Sequence, residues 1–193
     1  MFDLFRRWGA RPASRKGRAD LLVVGCGNVA AGDDAAGVQI VARLKEAGHS
    51  RCRFVAVPDA GPDLLDLFSS VETALFVDAV TSSASAGTLH LVPLPSREIE
   101  PRAIGTLSSH GWGLAQTLEL GRALNRPLPR LMLLGIELGT VEVGAAPSGE
   151  VTKAIARVVK KFPILHSRLV NPENPIWREP KHYPPEDTSF PKG

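Results

Sequence analysis

Cysteine and tyrosine are scarce in this 193-residue chain, with two of the former (Cys26 and Cys52) and one of the latter, and long apolar runs are missing altogether. No stretch approaches the roughly 18 apolar residues of a membrane-spanning helix, so membrane insertion is not expected. Two distant cysteines exclude a disulfide framework and a Cys-x-x-Cys metal or redox site, and each reads as a small buried hydrophobe in a cytoplasmic protein. Internal repeats are absent, as is the G-x-S-x-G elbow of a serine hydrolase. Charge of one sign is also lacking outside the N-terminus. The first twenty residues carry six Lys or Arg against two Asp, whereas the remainder carries 17 against 18. That confines the net charge of +3 to a leader without aromatic-basic interleaving, so no nucleic-acid partner is expected. Arg6-Arg7 lacks the following apolar segment of an export signal.

What is present is an alternation of short β-branched runs with helical patterns, the mark of an α/β layer fold. Strands are expected at LLVVGC (21–26), RFVAV (53–57), TALFVDAV (73–80), TLHLVPL (88–94) and RLMLLGIEL (130–138). Several are continuous apolar runs, as befits strands covered on both faces. Helices are expected over 34–47, with Gly48 as a stop, over 62–69, over 113–125, and over 150–162, where Val151, Ala154, Ile155, Val158, Val159 and Phe162 form one stripe. The loop between the third and fourth strands is too short for a helical crossover, which makes the fourth antiparallel. The expected architecture is a three-layer α/β/α fold on a mostly parallel five-stranded sheet with one antiparallel strand. A flexible leader (1–20) precedes a single domain (21–162). After Phe162 comes a tail (163–193) holding seven of the sixteen prolines and expected to be mostly extended, with Trp177 and Tyr183 available to dock it.

The first strand exits into GNVAAGDDAAG, where Asp33 and Asp34 are adjacent. An aspartate at a helix N-terminus caps free backbone donors and suits the macrodipole, but only one of two successive side chains can fold back onto that end. Gly25, Gly27 and Gly32 do not make a dinucleotide loop. The third glycine of G-x-G-x-x-G is replaced by Ala30, and two aspartates would repel a pyrophosphate. Asp78 is embedded in the apolar run LFVDAV near the end of the third strand, where burial without a partner is costly. Asp59, at the end of the second strand, points to the same rim and also suits a turn with Gly61. In open α/β sheets ligands gather at the carboxyl ends of strands, the edge from which the Asp33-Asp34 loop leaves. His110, in the loop SSHGWG, adds an imidazole. One histidine with two carboxylates makes a first-row metal site that suits Ni, Zn, Mn or Fe. The histidines at 49, 90, 166 and 182 show no acidic companions in comparable contexts. A serine hydrolase built on Ser108 or Ser109 is disfavoured, because a serine beside its own base on a short loop cannot present the required geometry.

The segments GCGNVAAGDDAAG, PDAGPDLLDLF, LFVDAV, GTLHLVPL, SSHGWGLAQTLELGRAL and LMLLGIEL, in this order, resemble the hydrogenase maturation proteases over roughly residues 21–160. The resemblance implies an endopeptidase that removes a C-terminal extension from the precursor large subunit of a nickel-iron hydrogenase once nickel is inserted. It places metal ligation and catalysis on Asp34, Asp78 and His110, with Gly27, Asn28, Asp33, Gly37 and Asp59 supporting them. Asp33 would cap or brace the loop while Asp34 faces the metal. Relatives often carry Glu in place of Asp34, so the shorter carboxylate requires a closer approach. The nickel would be supplied by the substrate, with other divalent metals able to occupy the site, and the enzyme is expected to be monomeric. The family's grouping with aspartic peptidases does not identify the nucleophile here. Two further readings make different predictions: a non-catalytic, chaperone-like assembly factor that holds metal through the same residues, and a metal-independent hydrolase using Ser109.

Overall fold

The computed structural model describes residues 19–58, 60–94 and 113–191. Six strands form one sheet in the order β2-β1-β3-β5-β4-β6. They are β1 (Leu21–Cys26), β2 (Cys52–Val57), β3 (Thr73–Val80), β4 (Leu89–Leu94), β5 (Arg130–Glu137) and β6 (Lys181–Tyr183). β1, β2, β3 and β5 are parallel, and β4 runs antiparallel to β5, as its short connection requires. The helices are α1 (Ala36–Glu46), α2 (Leu64–Phe68), α3 (Leu114–Ala123) and α4 (Gly149–Val170).

Strand residues alternate between two cores. Val23, Leu75, Val77, Leu89, Leu91 and Leu134 pack with α1 and α4 on one face. Leu22, Val24, Phe76, Val92 and Leu133 pack with α2 and α3 on the other. The three-layer architecture therefore holds.

The glycines after β1 serve packing rather than phosphate binding. A Cβ on Gly37 would lie 2.2 Å from the Val77 carbonyl oxygen and 2.4 Å from that of Cys26, and one on Gly25 would lie 2.3 Å from the Gly37 carbonyl oxygen. These contacts are all backbone, so α1 rests directly on the ends of β1 and β3. Gly37→Ala is accordingly expected to cost about 2–3 kcal/mol by forcing the helix off the sheet, measured as a lower urea midpoint.

Two expectations are corrected. First, the fourth long helix does not end at Phe162; α4 runs through Pro163 to Val170. Proline in a helix interior costs about 3 kcal/mol, but Leu165 and Leu169 continue the stripe of Val151, Ile155, Val158 and Phe162, all buried. Burying two more leucines at roughly 1.5–3 kcal/mol each outweighs the lost bond. Second, residues after 163 are not merely an extended tail. β6 pairs antiparallel with β4 and makes the sheet six-stranded rather than five-stranded. Ile176 and Phe190 are buried, with Phe190 edge-on to Tyr183 at 4.9 Å. Arg157 on α4 clasps the segment, donating to the carbonyls of Pro184 at 2.8 Å, Asp187 at 3.0 Å, Pro185 at 3.1 Å and Tyr183 at 3.2 Å. One guanidinium thus satisfies a run of carbonyls at and beyond the end of β6.

Candidate active site

The parallel pairing of β1 with β3 places Gly25 opposite Val77, so the loop leaving β1 and the residue after Val77, Asp78, emerge at one sheet edge. Between β1 and α1 the chain makes a 3₁₀ turn at Gly32–Ala35. Neither aspartate caps α1, whose N-cap position is Ala35 without a side-chain hydrogen bond. Asp33 does not cap the helix but braces the loop, the other role expected of it, and Asp34 is drawn to the Asn28 N–H.

Asp33 is only 1% exposed, and its carboxylate is fully engaged across the sheet edge. Oδ2 accepts from the backbone N–H of Gly139 at 2.8 Å and of Thr140 at 3.0 Å, and from the Ser148 hydroxyl at 3.1 Å. Oδ1 accepts from the backbone N–H of Ser148 at 2.6 Å. Ser148 is itself the N-cap of α4. One carboxylate therefore joins the β1–α1 loop, the β5–α4 loop and the start of α4. Burial pushes the Asp33 carboxyl up, but the backbone donors of Thr140, Ser148 and Gly139, with the Ser148 hydroxyl, outweigh it and hold the pKa below 3.8.

Asp34 is half-buried and is oriented by its own loop. Its Oδ2 accepts from the Asn28 N–H at 2.8 Å, while Asn28 Oδ1 accepts from the Ala30 N–H at 2.9 Å to close an Asx turn. Gly27, at φ +123°, allows this approach: a Cβ there would lie 2.0 Å from the Asp34 carbonyl oxygen. Asp78, also half-buried, accepts the Ala79 N–H on Oδ1 at 2.9 Å. It projects on the same sheet face as Ala74 and Phe76, towards α2 and α3. His110 and Asp59 lie outside the described residues, as do Ser108 and Ser109. Among the described residues, no group of three His, Cys, Asp or Glu side chains is arranged to hold a metal. Asp34 and Asp78 are oxygen donors of the hard type that suits a first-row divalent ion, and an imidazole is a compatible third ligand.

The structure also shows a polar cluster that sequence reasoning missed. His90 has an acidic companion after all: its Nε2 lies 2.8 Å from Glu137 Oε2, and its Nδ1 lies 2.6 Å from His182 Nδ1. Glu137, 2% exposed, also accepts from the Ser82 hydroxyl at 2.8 Å and from the Ser82 backbone N–H. Across the sheet Asp78, Gly135, His90 and His182 form one row, and directly opposed residues project on one face. The Val80 methyl groups fill the space over Gly135. Glu137 carries the cue that singles out Asp78, an acid in an apolar run at a strand end, whereas its pairing with His90 depends on the antiparallel register. Burial lowers the His90 pKa below 6.5, with the Glu137 hydrogen bond and charge opposing the shift and His182 reinforcing it. The unfolded chain thus binds this proton more readily, so the stability His90 contributes is full above pH 6.5 and is lost as pH falls through the folded value. The urea midpoint is expected to fall between pH 7 and 5, less steeply in His90→Asn.

A family description, HycI, hydrogenase maturation protease, matches residues 38–163. That span contains Asp78 and His110 and begins after Asp34. No curated protein sequence matches the chain significantly. Among solved structures, the chain resembles hydrogenase maturating endopeptidase HybD from E. coli, with 23% identity and a TM-score of 0.63 over 77% of this chain and 93% of that one. It also resembles the [NiFe] hydrogenase maturation protease HycI from Thermococcus kodakarensis KOD1, with 20% identity and a TM-score of 0.61 over 79% and 95%. An endopeptidase from Escherichia coli shows 25% identity and a TM-score of 0.62 over 74% and 89%.

Proposed function

The chain belongs to the hydrogenase maturation proteases, and on that premise we propose that it removes the C-terminal extension of a nickel-iron hydrogenase large subunit after nickel insertion, recognising the inserted metal through Asp34, Asp78 and His110. The observation that supports this reading is the convergence of the Asp34 loop and the Asp78 strand end at the carboxyl edge of β1 and β3. The nickel arrives with the substrate. A precursor lacking it would leave two carboxylates at this edge with no cation to offset their charge, which disfavours docking. Metal loading thereby becomes a condition of cleavage.

Hydrolysis adds water across the scissile C–N bond, so the site has to polarise the carbonyl and remove a proton from the attacking water. Asp34 and Asp78 supply the acceptors. The Asn28 N–H on Asp34 and the Ala79 N–H on Asp78 orient them. Asp33 takes no part in the chemistry: its oxygens are spent on the Gly139, Thr140 and Ser148 donors.

The test is the intact mass of a nickel-loaded precursor before and after incubation with the protein, beside a nickel-free precursor. Loss of a C-terminal peptide from the loaded sample alone is the expected result. Binding without shortening of either precursor would replace the protease reading with that of an assembly factor. Equal cleavage of both would remove the metal check.

A further inference from the structure

Three of the four strongly exposed large hydrophobic side chains among the described residues lie on two neighbouring loops: Val29 at 68%, Val141 at 52% and Val143 at 82%. Scattered surface valines need no explanation, but these share one built feature. The Gly144 N–H donates to the Ala30 carbonyl at 2.7 Å and the Asp33 N–H to the Thr140 carbonyl at 3.3 Å. Gly32, at φ +54°, runs so close that a Cβ on it would lie 3.2 Å from the Thr140 carbonyl oxygen and 3.3 Å from the Glu142 nitrogen. The buried Asp33 carboxylate closes the same pair of loops from beneath. The valines therefore sit on a rim held before any partner arrives, which spares docking the entropy of ordering it.

This rim adjoins the site. Val29 follows Asn28, whose N–H holds Asp34. Anything that delivers a metal to Asp34 brings its neighbouring residues against this loop pair. Glu142 is exposed between Val141 and Val143, so the rim joins apolar surface to a negative charge. We propose that Val29, Val141 and Val143 form the substrate-docking rim, receiving an apolar stretch of the precursor that carries a basic rather than an acidic side chain opposite Glu142. The inference rests on the protease reading above for the identity of the partner.

The experiment measures both binding of the nickel-loaded precursor by interferometry and its processing by intact mass, for the wild type, Val29→Ser/Val143→Ser, Glu142→Lys and Leu124→Ser. Leu124, exposed at the end of α3, is the apolar control. Removing two contact valines is expected to raise Kd and KM roughly tenfold with kcat within about twofold. Glu142→Lys is expected to weaken binding in the same sense, more at low salt than at high salt. Thermal stability is expected to stay at the wild-type value, because the replaced side chains are exposed. Unchanged Kd in the double variant, or an equal loss in Leu124→Ser, would overturn the rim. Wild-type binding without cleavage, lost in the double variant, supports the rim while refuting the protease reading; absence of wild-type binding overturns the rim.

Discussion

Asp78→Asn is expected to reduce processing of the nickel-loaded precursor roughly a hundredfold or more while leaving the fold intact. The substitution keeps the side chain's shape and an oxygen to accept the Ala79 N–H, so the strand end has no reason to move. What is lost is the negative charge, together with one of the two hard oxygen donors contributed by the described residues. Removing a single preorganised electrostatic contact from an active site commonly costs about 10²–10³ in rate. Single-turnover mass spectrometry reads the rate and a thermal melt reads the fold. A variant that melts normally and still cleaves at the wild-type rate would remove Asp78 from the chemistry.

Asp33→Ala is expected to act in the opposite way, lowering stability by roughly 3–5 kcal/mol and reducing activity only as a consequence. The carboxylate is buried and accepts three backbone N–H bonds and one hydroxyl. Truncation removes the shared acceptor of donors on the β5–α4 loop and at the start of α4 and so unties the two loops from each other. Asp34→Ala, one residue along, is expected to cost little stability, because it removes one bond at an exposed turn. Urea unfolding of the two variants separates the roles of the adjacent aspartates. The pH dependence has a definite sign. Asp33 has a folded pKa below 3.8, so its contribution is complete above the unfolded value and disappears as pH falls through the folded one. Wild-type stability should drop below about pH 4 more steeply than that of Asp33→Asn.

Much of the architecture was legible from local pattern. The strand starts and ends of β1 and β3 coincide with the apolar runs LLVVGC and TALFVDAV, and β4 is antiparallel because the eight residues between β3 and β4 cannot carry a crossover helix. The errors after Phe162 have one cause. Pro163 is a strong local stop, and the prolines beyond it are a strong local sign of disorder, yet Leu165, Leu169, Ile176 and Phe190 all find the core. Propensity is worth a few kcal/mol at most, and burial against a preformed sheet exceeds it. His90 looked solitary because its partner, Glu137, is 47 residues away and meets it only through the β4–β5 register.

The sequence by itself determined the α/β layering, the position of the Asp33-Asp34 loop after the first strand and the presence of an acid at the end of the third, because periodicity and strand ends are short-range properties. Only the tertiary structure decided what each adjacent aspartate does. Asp33 faces donors more than a hundred residues away, whereas Asp34 is held by its own turn. The two residues are chemically identical and one position apart, so no local rule distinguishes them. The approach of the β5–α4 loop does, by surrounding one carboxylate with backbone donors and leaving the other at the edge.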